Sequence, residues 1–253
     1  MVSEMPIILT LDIDWAPDFM IDYAAEVLLA RGVKATWFVT HESPAVGRLR
    51  EHPDLFELGI HPNFAAGSTQ GATPEAVLDH CLRLVPHARC MRTHGLVQST
   101  RLLQLVAATT AIEADVSLYL PRAAGLRPVD YPLAGRPFVR LPYVWEDDFE
   151  MLQAAPWWNL APVLALGPGL KVLDFHPVHV YLNSPRFERY EALRDNERLY
   201  SRRAEELSGF VHQGSGPRAM FLEAVEHLAR TGRAQTIGDL CRGECARPAA
   251  RAA

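Results

Sequence analysis

The sequence has little that would draw it to nucleic acid or into a membrane. Only two of its 25 basic residues are lysines, and its 30 acidic residues give a formal net charge of −5. This balance excludes a broad attraction to nucleic acid or to an anionic membrane surface. No window reaches the roughly 18 uninterrupted apolar residues of a membrane helix, and no basic segment followed by a long apolar run opens the chain. We therefore expect a cytoplasmic protein without membrane insertion; the oligomeric state stays open.

Cysteine is also scarce. The four cysteines are scattered along the chain and form no CxxC pair: Cys81, Cys90, Cys241 and Cys245. Their number and spacing exclude a disulfide framework. Because cysteine is among the residues most often buried, we expect free thiols in the core.

The composition is that of an ordinary globular protein. Of the 253 residues, 49% are hydrophobic and 22% are charged. No internal repeat or break in composition divides the chain. We expect one domain over residues 1–245, followed by a tail (246–253) that is frayed because it has little to pack.

Strand-like runs alternate with helical patterns, which is typical of βαβ units. The predicted strands begin at residue 7 and continue with 34–40, 55–61, 88–94, 112–120, 137–145 and 170–176. Helices are predicted for 19–31 before Gly32, for 74–85 after the N-cap Thr73, for 100–109, and for 185–231 with a break at 212–217. A long loop is predicted for 121–136. The α/β pattern fits an incomplete or distorted (β/α) barrel better than an open doubly wound sheet, which remains an alternative.

Four of these strands end in side chains suited to metal chemistry or proton transfer. They are Asp12 and Asp14 after the first strand, His61 after the third, Arg92 and His94 after the fourth, and Asp174 and His176 after the last, with His179 just beyond. Side chains two residues apart share one side of a strand. Active sites of parallel barrels lie where the carboxyl ends of the strands meet. A shared site is therefore a better explanation than four separate structural residues.

These residue types suit the hydrolysis of an amide or ester. Asp14 and His61 are the best candidates to hold a divalent metal, which lowers the pKa of water and polarises a carbonyl. Asp12 can take the proton from the water, and Arg92 can keep that base ionised. His176 can then protonate the leaving amine or alcohol.

The motifs resemble those of the polysaccharide deacetylases, which remove N- or O-acetyl groups from sugars within a distorted (β/α) barrel. "LTLDIDW" is similar to the family's first motif, and the resemblance implies Asp12 as general base and Asp14 as metal ligand. "ELGIHPNF" is similar to the second motif and implies His61 as a ligand. "MRTHG" resembles the arginine motif, through Arg92. "VLDFHP" resembles the last motif, with His176 as the acid, and "TIGDL" resembles the closing segment.

One departure concerns the metal ligands. The family's second motif carries another histidine four residues after the first, and here that position is Ala65. Asn63, His94 and His179 are candidates to replace it, and a histidine is the better donor for zinc or a similar metal. We favour His94, which leaves Asn63 and His179 as candidate substrate contacts. Zinc is the expected metal, with cobalt, nickel or iron as alternatives.

"ELGIHPNF", "WEDDFE" and "DFHPVHVYLN" also resemble a divergent branch of this family associated with lipopolysaccharide O-antigen biosynthesis. That resemblance implies an acetamido sugar on a nucleotide or lipid carrier as substrate. Glu146 or Asp148 is expected to contact substrate or a second cation. The alternative is that both only begin a solvated helix, where carboxylates are stabilising. Trp145 is expected to stack on a sugar face.

Two other functions fit parts of the sequence. A strand that ends in DxD is also typical of haloacid dehalogenase-type phosphatases, but Ala16 stands where a threonine or valine is expected. No lysine precedes a late acidic pair, and the histidines stay unexplained.

A non-catalytic carbohydrate-binding protein on the same barrel is the alternative that the Ala65 departure allows. Retention of Asp12, Arg92 and His176 favours catalysis, because a binding module needs neither a base nor an acid.

Overall fold

The computed structural model describes residues 6–14, 16–194, 199 and 202–245. Within these residues the strands are β1 (Ile7–Asp12), β2 (Ala35–Val39), β3 (Phe56–Ile60), β4 (Cys90–Met91), β5 (Ala114–Tyr119), β6 (Val129–Asp130), β7 (Val139–Tyr143), β8 (Trp145–Glu146) and β9 (Lys171–Phe175). The α-helices are α1 (Asp18–Arg31), α2 (Pro44–Leu49), α3 (Pro74–Leu84), α4 (Thr100–Thr109), α5 (Asp147–Met151), α6 (Ala161–Ala165), α7 (Pro177–Leu182), α8 (Phe187–Arg194), α9 (Ala204–Leu207), α10 (Pro217–Thr231) and α11 (Ile237–Cys245).

All described strands belong to one curled sheet. Its order is β6-β7-β5-β4-β3-β2-β1-β9-β8, and every pairing is parallel except the β6–β7 pair at the edge. Only Val144 separates β7, which pairs with β5, from β8, which pairs with β9. The Val144 amide also donates to the Val172 carbonyl over 3.0 Å. The segment 139–146 therefore touches both sides of the curl and brings them together into a distorted barrel.

Alternate residues of each strand face two separate apolar cores. In β1, Ile7, Leu9 and Leu11 pack in the larger core with the helices, whereas Ile8 belongs to a smaller one. That smaller core draws residues from strands all around the curl, so it fills the barrel interior. Thr10 and Asp12 follow Ile8 at intervals of two and share its inner side. Alternate residues of β1 therefore supply an apolar side chain to the inner core and, nearer the end of the strand, polar side chains to the barrel interior.

Helix α11 closes the end of the barrel opposite those polar residues. Its first two amides have side-chain acceptors from neighbouring strands. The Ile237 amide donates to Thr36 Oγ1 over 3.0 Å, and the Gly238 amide donates to Glu57 Oε2 over 2.9 Å. Ile237 and Leu240 pack into the inner core. The closing segment noted in the sequence therefore forms the floor of the barrel.

The prediction of a distorted (β/α) barrel is confirmed, and the open sheet is excluded. All seven predicted strands are present, although the fourth is reduced to two residues. Helix α4 matches its prediction, α1 ends at Gly32 in a left-handed conformation with φ 62°, and Thr73 caps α3. The predicted loop 121–136 contains β6, which was missed, as were the short helices α2, α6 and α7.

Cys81 and Cys90 are buried free thiols, as predicted, and Cys241 is also buried. The Cys245 side chain and the tail 246–253 lie outside the described residues. Among the helices that the structure describes, none combines the length and the hydropathy needed to cross a membrane.

Gly59 gives a test of the inner packing. A Cβ atom there would stand 2.8 Å from Cys90 Sγ and 2.8 Å from the Phe38 ring. Because the side chains of a packed core can shift only slightly to admit an extra methyl group, Gly59→Ala should lower the free energy of unfolding by about 1–3 kcal/mol. Urea denaturation measures this. The control Gly47→Ala, in α2 with no atom within 4 Å of the added methyl, should be neutral or stabilising. Equal stability of Gly59→Ala and the parent would contradict the described packing.

Candidate active site

The polar residues predicted at the strand ends meet at one mouth of the barrel. Asp14 follows β1, His61 follows β3, His94 follows β4 and His176 follows β9. Asp14 has φ 33°, in the left-handed region that a non-glycine residue seldom adopts. Such backbone conformations gather at functional sites, where surrounding contacts hold them.

Three donor atoms converge at equal spacing. Asp14 Oδ1, His61 Nε2 and His94 Nδ1 are each 3.2 Å from the other two. Ligands about 2.0–2.1 Å from a tetrahedral zinc ion stand about 3.3–3.4 Å apart, so the spacing fits one ion between them. One carboxylate and two imidazoles are also a donor set that zinc and similar metals accept. His94 thus supplies a second imidazole beside His61, and position 65 is an alanine.

The electrostatics of Asp14 fit an anionic ligand. Burial by itself raises the pKa of the Asp14 carboxyl, but hydrogen bonds from the surrounding histidines outweigh it and hold the pKa well below its usual value. The hydrogen bond between His94 and Asp14 raises the pKa of His94, although burial of the imidazole opposes this shift. The carboxylate therefore carries its charge at the point where the imidazoles converge.

Arg92 forms a buried network below these donors. Its Nη1 donates to Asp12 Oδ1 over 2.8 Å and also to Asp174 Oδ1. Its Nη2 donates to Thr10 Oγ1 over 2.8 Å, and the guanidinium lies between the Phe38 and Tyr143 rings. Burial, only partly offset by Arg92, raises the pKa of Asp174 well above its usual value. A proton on Asp174 would leave Arg92 to balance the charge of Asp12.

His176 faces the same space from the opposite side. Its Nε2 lies 3.4 Å from Asp14 Oδ2, and its Nδ1 lies 2.6 Å from Asp147 Oδ1. The His176 amide donates to the other Asp147 oxygen over 2.8 Å. Burial opposes protonation, but Asp148, Asp147 and Asp14 outweigh it and raise the pKa of His176 well above its usual value.

Asp147 is the main site residue that the sequence prediction missed. It is fully buried at the start of α5, and both of its oxygens hold His176. The acidic run "WEDD" is the signal in the sequence that points to this segment, but the sequence analysis predicts contacts only for Glu146 and Asp148. The chain changes from strand β8 to helix α5 at this point, so the period of two does not identify the inward residue.

The other two carboxylates of that run lie beside the site. Tyr143 Oη donates to Glu146 Oε2 over 3.1 Å, and burial raises the pKa of Glu146 to about 7. Asp148 Oδ1 is 2.6 Å from His179 Nε2. Burial opposes ionisation of Asp148, but His176 and His179 outweigh it and lower its pKa to about 2. Both carboxylates thus lie near His176; the expectation that one of them contacts substrate or a second cation stays a prediction.

The expectation that Trp145 stacks on a sugar is wrong. Trp145 is fully buried, its Nε1 donates to the Trp157 carbonyl over 3.1 Å, and its ring centroid lies 4.7 Å from that of Phe175. The ring packs in the larger core and has no open face. The prediction took Trp145 to face the site because it lies at the end of a strand, but β8 directs this side chain away from the barrel interior.

Asn63 has a local role in the loop after β3. Its side-chain oxygen accepts from the Ala65 amide over 3.0 Å, and its own amide donates to Gln70 Oε1 over 2.7 Å. Both bonds shape the turn that carries the chain away from His61. A substrate contact by the half-buried Asn63 stays a prediction.

Comparisons with known proteins agree with this geometry. A family model described as WbmS-like polysaccharide deacetylase matches residues 9–194. A search of curated proteins finds no match. A Bordetella bronchiseptica crystal structure, WbmS, is assigned to polysaccharide deacetylation in O-antigen biosynthesis. It is 36% identical to this chain, with 90% of this chain and 91% of that chain covered and a TM-score of 0.74.

A more distant structure shares the fold alone. The Xyl-CE4 domain of a multidomain xylanase from the hindgut metagenome of Trinervitermes trinervoides is 12% identical, with a TM-score of 0.50 and coverage of 97% of this chain and 94% of that chain. The fold and the family match together contradict the alternative of a haloacid dehalogenase-type phosphatase. With its motifs in order around one barrel mouth, the chain belongs to the WbmS-like family of polysaccharide deacetylases.

Proposed function

We propose that the protein is a metal-dependent deacetylase acting on an acetamido sugar or saccharide in O-antigen biosynthesis. The observation that carries this proposal is the convergence of Asp14, His61 and His94 at mutual distances of 3.2 Å. Family membership supports deacetylation as the reaction. The similarity to the Bordetella protein supports a substrate from cell-surface polysaccharide biosynthesis.

Asp14, His61 and His94 would hold the metal, with zinc favoured by the mixed carboxylate and imidazole donors. When bound, such an ion lowers the pKa of water and polarises the acetyl carbonyl. The other ring nitrogen of His61, Nδ1, lies 3.6 Å from Asp12 Oδ2, beyond hydrogen-bond distance.

Asp12 acts as the general base. Its Oδ1 is held by Arg92, and its Oδ2 lies 3.6 Å from His61 Nδ1. The guanidinium fixes the direction of the carboxylate, so the group that receives the proton is oriented before substrate binds. Attack of the water on the acetyl carbon then gives a tetrahedral intermediate.

His176 acts as the general acid. Asp147 holds Nδ1 and so directs Nε2, the atom that carries the mobile proton, toward the reaction centre. The raised pKa of His176 favours the protonated form that donation requires. When the tetrahedral intermediate breaks its bond to the leaving group, Nε2 delivers a proton to the departing amine nitrogen or alcohol oxygen.

The metal assignment is tested by elemental analysis of protein purified without chelator. The parent should contain one equivalent of a divalent transition metal or bind it on addition, whereas His94→Ala should bind it more than about 100-fold more weakly, since even residues behind a ligand cost 10–100-fold. The control His87→Ala changes an exposed histidine and should match the parent. Full metal retention in His94→Ala would remove His94 from the ligand set.

The base assignment is tested with Asp12→Asn. Loss of a general base should lower kcat by about 10²–10⁴, while the metal content stays near that of the parent. The assay measures acetate released from UDP-N-acetylhexosamines and, for ester cleavage, from 4-nitrophenyl acetate. If Asp12→Asn is as active as the parent, Asp12 is not the base. If the metal-loaded parent releases no acetate but binds the sugar, the carbohydrate-binding alternative holds.

The orientation of His176 is tested with Asp147→Asn. Without this carboxylate the imidazole loses its orientation, and kcat should fall by about 10²-fold or more, as for the aspartate of serine proteases. The pKa of His176 should also fall. Because an acid must be protonated to act, activity is lost as pH rises through that pKa, so the alkaline limb of the kcat profile should move to lower pH. If the alkaline limb of the kcat profile stays at the same pH, Asp147 has only a structural role.

A further inference from the structure

A second group of metal-binding side chains lies next to the first. Donor atoms of Asp148, His176 and His179 all lie within 4.8 Å of one another. Asp148 Oδ1 is 2.6 Å from His179 Nε2, and Asp148 Oδ2 is 4.0 Å from His176 Nε2. These three side chains are two buried imidazoles and one carboxylate, and each directs a donor atom at the same small volume. The group therefore differs from a cluster of acidic side chains on the surface.

Asp14 connects the two groups. Its Oδ1 meets His61 and His94, whereas its Oδ2 lies 3.4 Å from His176 Nε2. Asp14 therefore stands between the two groups and contacts the second one through His176.

The environment of Asp148 and His179 suits a cation. Among the described residues, the charged partners of Asp148 are two histidines, without lysine or arginine. His179 is 2% exposed, and its Nδ1 has no hydrogen-bond partner in the described part of the chain. The Tyr190 ring packs edge-on against His179 at 4.6 Å. The Asp148 side chain is 38% exposed, which gives an ion a path to these donors.

We propose that Asp148, His179 and His176 form a second divalent-cation site, which lies next to the first and is separated from it by the Asp14 carboxylate. This inference rests on the proposed function, because it takes Asp14, His61 and His94 as the first site. The donors suit zinc or cobalt.

Occupation of the second site would regulate the reaction. His176 Nε2 cannot bind a cation and carry the proton for the leaving group at the same time. Excess metal should therefore inhibit the enzyme by taking away its acid, and one cation per chain should give the most active form.

The test is a cobalt titration of the full chain, followed by visible absorption and by calorimetry. The parent should bind two equivalents, the second more weakly. Asp148→Asn and His179→Gln should each lose the second equivalent and keep the first, whereas Asp14→Ala should lose the first. Two exposed residues give matched controls, since Asp54→Asn and His87→Gln should still bind two equivalents.

Each result separates this inference from the proposed function. A parent that binds one equivalent overturns the second site and leaves the proposed function intact. A parent that binds none overturns both. Two equivalents in Asp148→Asn place the second ion elsewhere and also overturn the inference. Circular dichroism checks folding; if the buried His179→Gln variant is unfolded, the partly exposed Asp148→Asn variant decides alone.

Discussion

One buried guanidinium connects most of the barrel at the level of the site. Arg92 follows β4, yet it donates to Thr10 and Asp12 of β1, to Asp174 of β9 and to the Val116 carbonyl of β5. Aromatic rings from β2 and β7 cover its two faces. Removing one partner of such a network leaves a buried charge uncompensated, at a cost of about 3–5 kcal/mol. The position of Asp12 relative to Asp14 and His61 therefore depends on an ion pair that also holds the strands in place.

Sequence reasoning succeeded where a strict local period governs the structure. Asp12 and Asp14, Arg92 and His94, and Asp174 and His176 follow strands whose neighbours alternate between two cores, so their common side could be inferred. The same logic failed at Trp145 and Asp147, where strand β8 changes to helix α5 within two residues. No period covers such a junction. β6 was missed because it is only two residues long and lies in a segment that proline and glycine mark as a loop, although its partner β7 follows closely in the chain.

Under the proposed metal assignment, the departure at Ala65 changes the motif but leaves a carboxylate and two imidazoles together in space. In the family pattern both histidines come from one segment after the third strand. Here His61 has that origin, and His94 comes from the end of the neighbouring strand, β4, which pairs with β3 through Ile60 and Met91. Because adjacent parallel strands end side by side, either can direct an imidazole to the same point. A search for the paired motif alone would miss this site.

The floor of the barrel has a consequence for synthesis of the protein. Helix α11 is the last described element, and its residues Ile237 and Leu240 cover an inner core built from strands that begin with β1. A chain emerging from the ribosome therefore completes every strand before the part that seals their apolar interior exists. Until α11 docks on Thr36 and Glu57, that interior is open to water at one end, and exposed apolar surface of this kind makes a folding intermediate prone to aggregate.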